Sequence, residues 1–120
     1  MAGRLTTHVL DTAQGRPAAN MAIELWWLNA EGSGRKLLKT LRTNGDGRAD
    51  GPLLAGEELA AGVYELVFAV GEYFAAQGMA MPSPPFLDRV PVRFGIAEAT
   101  SNYHVPLLVS PWAYSTYRGS

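Results

Sequence analysis

The sequence contains no cysteine and only two histidines among its 120 residues. Without cysteine, the chain has no disulfide, no thiolate nucleophile and no cysteine-ligated zinc ribbon. Charge is also sparse, because charged residues make up 18%, the formal net charge is −1, and no block of five or more Lys or Arg occurs. A nucleic-acid surface that tracks phosphates is therefore disfavoured, and we predict no nucleic-acid partner.

Long apolar runs are missing too, since none approaches the ~20 residues that a membrane helix needs. Residues 1–10 show neither an apolar core of signal-peptide length nor a cleavage motif, and the last three residues are not the peroxisomal signal Ser-Lys-Leu. We therefore predict a cytoplasmic protein with no membrane partner. The chain has the usual length of one domain, so we predict a single domain over residues 1–120.

Thirteen glycines and eight prolines separate short β-branched and aromatic runs, a pattern typical of an all-β sandwich or barrel. Alternating apolar residues predict about eight strands, over residues 4–12, 21–29, 35–43, 63–70, 89–97, 103–110 and 113–120, with one short strand within 48–59. Residues 71–78 combine helix formers with flanking glycines and predict one short helix. Pro91 indicates an edge strand or an unpaired position.

Both histidines lie within predicted strands, on the face opposite the regular apolar residues. His8 shares its face with Thr6 and Leu10, and His104 opposes the face of Tyr103 and Val105. A solvated histidine would show the same placement, but imidazole is also the usual general base near neutral pH. Two histidines without cysteine or a suggestive carboxylate pair fall short of a zinc ligand set, so we predict no metal.

Two further segments carry groups that can bind a polar ligand. Arg48 follows the turn Asn-Gly-Asp-Gly, which can hold a guanidinium at a defined height above a sheet. The last ten residues, PWAYSTYRGS, crowd aromatic rings, hydroxyls and an arginine together. The chain has no Gly-x-Ser-x-Gly elbow and no phosphate-binding glycine loop, so a serine nucleophile and nucleotide binding lack support.

Three segments together resemble one enzyme family. They are LTTHVLDTAQGRPA at the start, Thr-Asn-x-Asp-Gly-Arg at 43–48, and YHVPLLVSPWAYSTYRGS at the end. In this order and spacing the chain is similar to the 5-hydroxyisourate hydrolases, transthyretin-related enzymes of urate catabolism. Residues 117–120, Tyr-Arg-Gly-Ser, are the most specific element, since they resemble the tetrapeptide that separates these enzymes from the hormone carrier transthyretin.

The resemblance implies a transthyretin-like sandwich of two four-stranded sheets and a homotetramer, built as a dimer of dimers with active sites between the dimers. It implies hydrolysis of 5-hydroxyisourate to 2-oxo-4-hydroxy-4-carboxy-5-ureidoimidazoline, with no cofactor. The site residues implied as catalytic are His8, Arg48, His104 and Ser120, and those implied as substrate-binding are His8, Arg48, Tyr117, Arg118 and Gly119.

Physical chemistry narrows these implied roles only partly. A guanidinium can hold a planar anionic substrate and stabilise charge on its carbonyl oxygen, a role that suits Arg48. We favour His104, partnered with Ser120, as the group that orients water, although the order of the two histidines stays open. Ser120 can act through its hydroxyl or through the terminal carboxylate.

Two other classes of protein remain as alternatives. A transthyretin-like protein that binds a small molecule without catalysis would share the fold, because fold does not determine function. An immunoglobulin-like adhesion module would instead show a cysteine pair or a secretory signal, and the sequence shows neither.

Overall fold

The computed structural model describes residues 3–31 and 33–119 of the chain. The strands found within these residues are β1 (Arg4–Asp11), β2 (Arg16–Pro17), β3 (Ala22–Leu28), β4 (Arg35–Arg42), β5 (Leu54–Ala55), β6 (Gly62–Ala69), β7 (Arg89–Ile96), β8 (Tyr103–Val109) and β9 (Tyr114–Thr116). A 3₁₀ helix spans Gly56–Glu58, and the α-helix α1 spans Val70–Ala76. No helix in the described residues has the length and apolar character required to cross a membrane.

The strands form two sheets, which confirms the predicted all-β sandwich. The first sheet has five strands rather than the four that the resemblance implied, in the order β2-β1-β8-β9 with β5 pairing to one end of β1. The second sheet has four strands, in the order β4-β3-β6-β7. β1 and β8 run parallel, whereas the other pairs are antiparallel. Pro91 lies in β7, at an edge of the second sheet, as its missing N–H predicts.

Most element boundaries differ from the sequence prediction by one or two residues, and β2 lies outside the predicted strands. Two of the differences have a clear physical reason. Val70, predicted to end a strand, is the first residue of α1, and it is fully buried there. Val70 is therefore apolar because the first turn of α1 packs into the core, and not because it continues the strand. The predicted strand over 113–120 is shorter, because regular pairing of β9 with β8 ends at Thr116 and returns only as a single bridge at Gly119.

Period-two alternation builds the core between the sheets. Side chains that point inward from both sheets are almost fully buried, among them Leu5, Val9, Ile23, Leu25, Leu66, Phe68, Val90, Tyr103 and Leu107. Each such side chain contributes about 1.5–3 kcal/mol by leaving water. Because neighbouring residues point to opposite faces, this core directs Thr6, His8 and His104 to the outer face of the first sheet.

A buried polar contact ties α1 to β1. The Asp11 side chain, 1% exposed, accepts a hydrogen bond of 2.8 Å from the Tyr73 hydroxyl and one of 2.7 Å from the Gln14 amide. Burial and the neighbouring carboxylate raise the pKa of Tyr73, so its hydroxyl stays protonated and keeps donating. The hydrogen bond from Tyr73 therefore fixes the C-terminal end of β1, the strand that carries His8, against α1.

Candidate active site

His8 lies in the middle of β1, between β8 and the turn that follows Thr43. Across the sheet it is opposite Pro106 on one side and forms a bridge with Arg48 on the other. Its Nε2 atom lies 2.9 Å from the carbonyl oxygen of Asp46. A carbonyl oxygen only accepts hydrogen bonds, so Nε2 of His8 donates, and in the neutral ring Nδ1 is the basic nitrogen.

The side chain of Asn44 stabilises the turn that precedes Arg48. The Asn44 side-chain oxygen accepts hydrogen bonds from the backbone N–H groups of Asp46 and Arg48, at 2.9 and 3.1 Å. Gly47 has a φ of 74°, and a Cβ added there would lie 2.4 Å from the Val9 carbonyl oxygen. Only glycine fits this position, which brings both the Asp46 carbonyl and Arg48 against β1.

His104 lies in β8, two positions from the residue opposite His8, so the two histidines are diagonal neighbours on one face. Its Nδ1 atom is 2.8 Å from the hydroxyl oxygen of Thr6, the residue directly opposite it in β1. On its other side the Gly119 N–H donates to the His104 carbonyl at 2.8 Å. A Cβ added at Gly119 would lie 2.6 Å from His104 Cδ2, so the chain backbone packs directly on the ring.

The environment of His104 favours its neutral form. Partial burial lowers the pKa of His104 most, and the positive charges of Arg48 and His8 lower it further. At neutral pH the ring therefore carries one proton and offers one basic nitrogen. This is the form that a general base requires.

The tail beyond β9 divides its side chains between the two faces of the sheet. Thr116 pairs with Leu107 and Gly119 with His104, in a single register that alternates along the tail. This register places Tyr117 on the same side of the sheet as His104, where it is 59% exposed, and Tyr117 also borders the cavity lined by Phe94 and Tyr103. Arg118 falls on the opposite face, where its guanidinium stacks 4.2 Å from the centre of the Tyr103 ring.

Arg48, His8, His104 and Gly119 thus form a row across four neighbouring chain segments on one open face, which we call the histidine face. The model of the HIUase/Transthyretin family matches residues 5–119 of the chain. The chain belongs to the HIUase/Transthyretin family.

Members of the HIUase/Transthyretin family with different names resemble this chain. The 5-hydroxyisourate hydrolase of Mesorhizobium japonicum is 64% identical to it over 98% of this chain and 93% of the relative. The crystal structure of an (S)-allantoin synthase superposes with a TM-score of 0.92 at 50% identity, covering 99% of this chain. This chain spans only 44% of that protein.

Sea bream transthyretin in complex with thyroxine is a more distant neighbour. It superposes with a TM-score of 0.85 at 29% identity, over 97% of this chain and 94% of the transthyretin. The fold is therefore shared by proteins with different names and activities, so the fold alone does not determine the function of this chain.

Of the site residues predicted from the sequence of this family member, the structure brings together His8, Arg48, His104 and Gly119. Tyr117 lies on the same face, whereas Arg118 points away from the histidines. Ser120 lies outside the described residues. Within the residues that the structure describes, no group of three or more His, Cys, Asp or Glu side chains is placed to hold a metal ion.

Sequence reasoning missed two groups that contact the histidines. Thr6 was placed on the same face as His8, but its contact with His104 joins residues 98 positions apart and has no local signal. The Asp46 carbonyl was missed because every residue carries a backbone carbonyl, so residue type does not indicate which one binds His8. Only the turn sequence around Asp46 indicated a backbone of defined shape there.

A cavity of about 210 Å³ lies elsewhere, at the opening between the sheets. It is lined largely by apolar and aromatic groups, including Phe94, Tyr103 and Tyr117, and by Arg118. None of His8, Arg48 or His104 lines it. The histidine row instead lies on an open face, where Arg48 is exposed and both histidines are half-buried, so a single chain supplies only one wall around it.

Proposed function

We propose that this chain hydrolyses 5-hydroxyisourate to 2-oxo-4-hydroxy-4-carboxy-5-ureidoimidazoline, as one catalytic domain over residues 1–120. The observation that carries the proposal is the row of Arg48, His8 and His104 on one face, with His104 held in its neutral form. The close similarity to a curated relative named 5-hydroxyisourate hydrolase supports the choice of substrate.

The proposed reaction is the attack of water on a ring carbonyl. His104 takes a proton from the water as its oxygen bonds to the carbonyl carbon, and the carbonyl oxygen becomes an oxyanion. Arg48 binds the planar substrate and stabilises this oxyanion. The C–N bond of the ring then breaks, the protonated His104 returns its proton to the leaving nitrogen, and the carboxylic acid formed from the carbonyl loses a proton to solvent.

His8 supports the same step from the neighbouring strand. Because its Nε2–H is committed to the Asp46 carbonyl, its Nδ1 is the nitrogen available to accept a hydrogen bond from water or substrate. The positive charge of His8, when protonated, also keeps the neighbouring His104 neutral. Tyr117 and Gly119 contribute to the substrate wall, and Ser120 stays a predicted partner of the water.

We propose that the enzyme is a homotetramer, a dimer of dimers, in which another subunit covers the histidine face. The open face and the exposed aromatic side chains of the tail, Trp112 at 67% and Tyr117 at 59% exposure, support this assembly. Sedimentation velocity should give the mass of four chains. A catalytically active monomer would contradict the shared site.

The cytoplasmic location of the protein stays a prediction.

The test is a direct assay in the ultraviolet. Urate oxidase generates 5-hydroxyisourate in situ, and its decay is followed with and without the protein, because the substrate also decays spontaneously. We expect clear acceleration by the wild type and a fall in kcat of about 10²-fold or more in His104→Ala, the size typical of a lost general base.

Lys39→Ala is the matched control, since Lys39 lies on the second sheet and pairs there with Glu58. It should retain the activity of the wild type. No acceleration by the folded wild-type tetramer would overturn the proposal. It would favour a protein that binds a small molecule without catalysis, as the similarity to thyroxine-bound transthyretin suggests.

A further inference from the structure

The hydroxyl of Thr6 is the side-chain group that holds His104 from the neighbouring strand. The two residues are directly opposite in the parallel pairing of β1 with β8, and Thr6 Oγ1 lies 2.8 Å from His104 Nδ1. Threonine is β-branched, so few rotamers are open to it in a strand and its hydroxyl keeps one direction. The contact is therefore a fixed feature of the sheet.

The imidazole is confined on its other side by the tail. The Gly119 backbone packs so closely that an added Cβ would lie within 2.6–3.1 Å of three ring and side-chain carbons of His104. With Thr6 on one side and Gly119 on the other, the ring has little freedom to turn over. Nδ1 stays committed to Thr6, and Nε2 is the nitrogen left for water or substrate.

Proton counting then decides the direction of the hydrogen bond. A neutral imidazole carries one N–H, and the nitrogen that accepts a proton must be the other one. If Nε2 is the base, Nδ1 must carry the proton and the Thr6 oxygen must accept it. His8 shows the opposite arrangement, because its Nε2 donates to the Asp46 carbonyl.

We propose that Thr6 is a positioning residue that accepts the Nδ1–H of His104 and so presents Nε2 as the basic nitrogen. This tautomer rests on the proposed function, because it follows from Nε2 acting as the base, but it can be measured without any substrate. The two histidines would then hold complementary tautomers, with basic nitrogens Nε2 in His104 and Nδ1 in His8.

Nitrogen-15 NMR of the histidine rings tests the tautomer without any substrate. The chain has only two histidines, so a spectrum of His104→Ala assigns both rings. At neutral pH we expect His104 protonated at Nδ1 in the wild type and in Thr6→Ser. In Thr6→Val, which keeps the shape but loses the hydroxyl, the ring should shift toward the Nε2–H form that an unconstrained imidazole favours. A wild-type His104 protonated at Nε2 would overturn the proposal.

Kinetics test the consequence for the reaction. Thr6→Val should lower kcat about three- to ten-fold with little change in KM, the size expected for one lost hydrogen bond, and Thr6→Ser should restore it. The matched control is Thr7→Val, which removes a hydroxyl bond of 2.7 Å between the same two strands but points into the core. It should leave the His104 tautomer and kcat unchanged.

The outcomes separate the two proposals. Equal kcat in Thr6→Val and the wild type, or an equal loss in Thr7→Val, would show that the hydroxyl does not position the base. A wild type with the expected tautomer but no acceleration of 5-hydroxyisourate decay would remove the hydrolase function and leave only the hydrogen bond from His104 to Thr6.

Discussion

The two sheets differ in whether their charged side chains form ion pairs. All five ion pairs found among the described residues involve a strand of the second sheet, such as Arg89 with Glu24 at 2.6 Å and Arg93 with Glu65 at 3.2 Å. None of these pairs involves a residue of the first sheet, and Arg48 beside β1 belongs to none of them.

This difference separates structural charge from charge that is available to a ligand. On the second sheet the carboxylate of Glu65, only 8% exposed, lies between the guanidinium groups of Arg35 and Arg93. These cations are neutralised within the fold. On the histidine face Arg48 has no carboxylate partner among the described residues, so its charge lowers the pKa of His104 and can bind an anionic substrate.

Among the substitutions that test this difference between the sheets, Arg48→Ala should have the largest effect on activity. Removal of the cation that stabilises the oxyanion should lower kcat/KM by about 10²–10³-fold, while the midpoint of thermal unfolding changes little because Arg48 is exposed and makes no ion pair in the described residues. Steady-state assays and a thermal melt measure both. A loss of activity that only mirrors a loss of folded protein would contradict the assignment.

A second prediction sharpens the comparison through pH. Activity should rise with pH through the lowered pKa of His104 and reach its plateau at a lower pH than an ordinary histidine would allow. In Arg48→Gln one source of the lowering is removed, so the pKa of His104 should move up. A histidine NMR titration of both proteins measures the shift. An unchanged pKa would show that Arg48 does not act on His104.

The lowered pKa of His104 also determines how the free energy of unfolding changes with pH. As pH falls, the unfolded chain takes up the His104 proton before the folded chain does, so the free energy of unfolding should decrease. The decrease should begin at the ordinary histidine pKa and end at the lowered pKa of the folded state. His104→Ala should remove this part of the pH dependence.

The smallest effect is expected on the second sheet. Arg93→Ala removes a half-exposed partner of Glu65, and Arg35 remains beside that carboxylate. We expect the free energy of unfolding to fall by about 1 kcal/mol or less, with kcat unchanged. Chemical denaturation and the ultraviolet assay test this. A large loss of activity would mean that the second sheet's charges also serve the reaction.

Local sequence patterns predicted the strands and the faces of the two histidines, because alternation is a property of neighbouring residues. The turn Asn-Gly-Asp-Gly pointed to Arg48, and the resemblance gave Arg48 its role and added Gly119, which has no periodic signal. Neither could predict the contact between Thr6 and His104, since register between distant parallel strands is decided by packing of the whole sandwich. The position of Arg118 over Tyr103 was missed for the same reason.

The parallel pairing of β1 with β8 also affects how the chain reaches its active state. Thr6 and His104 are 98 residues apart, so the histidine face does not exist until a loop of that length has closed. Such distant contacts form late and slowly compared with local hairpins. During refolding, the β3–β4 hairpin of the second sheet can form between residues nearby in sequence, whereas activity must wait for the pairing of β1 with β8.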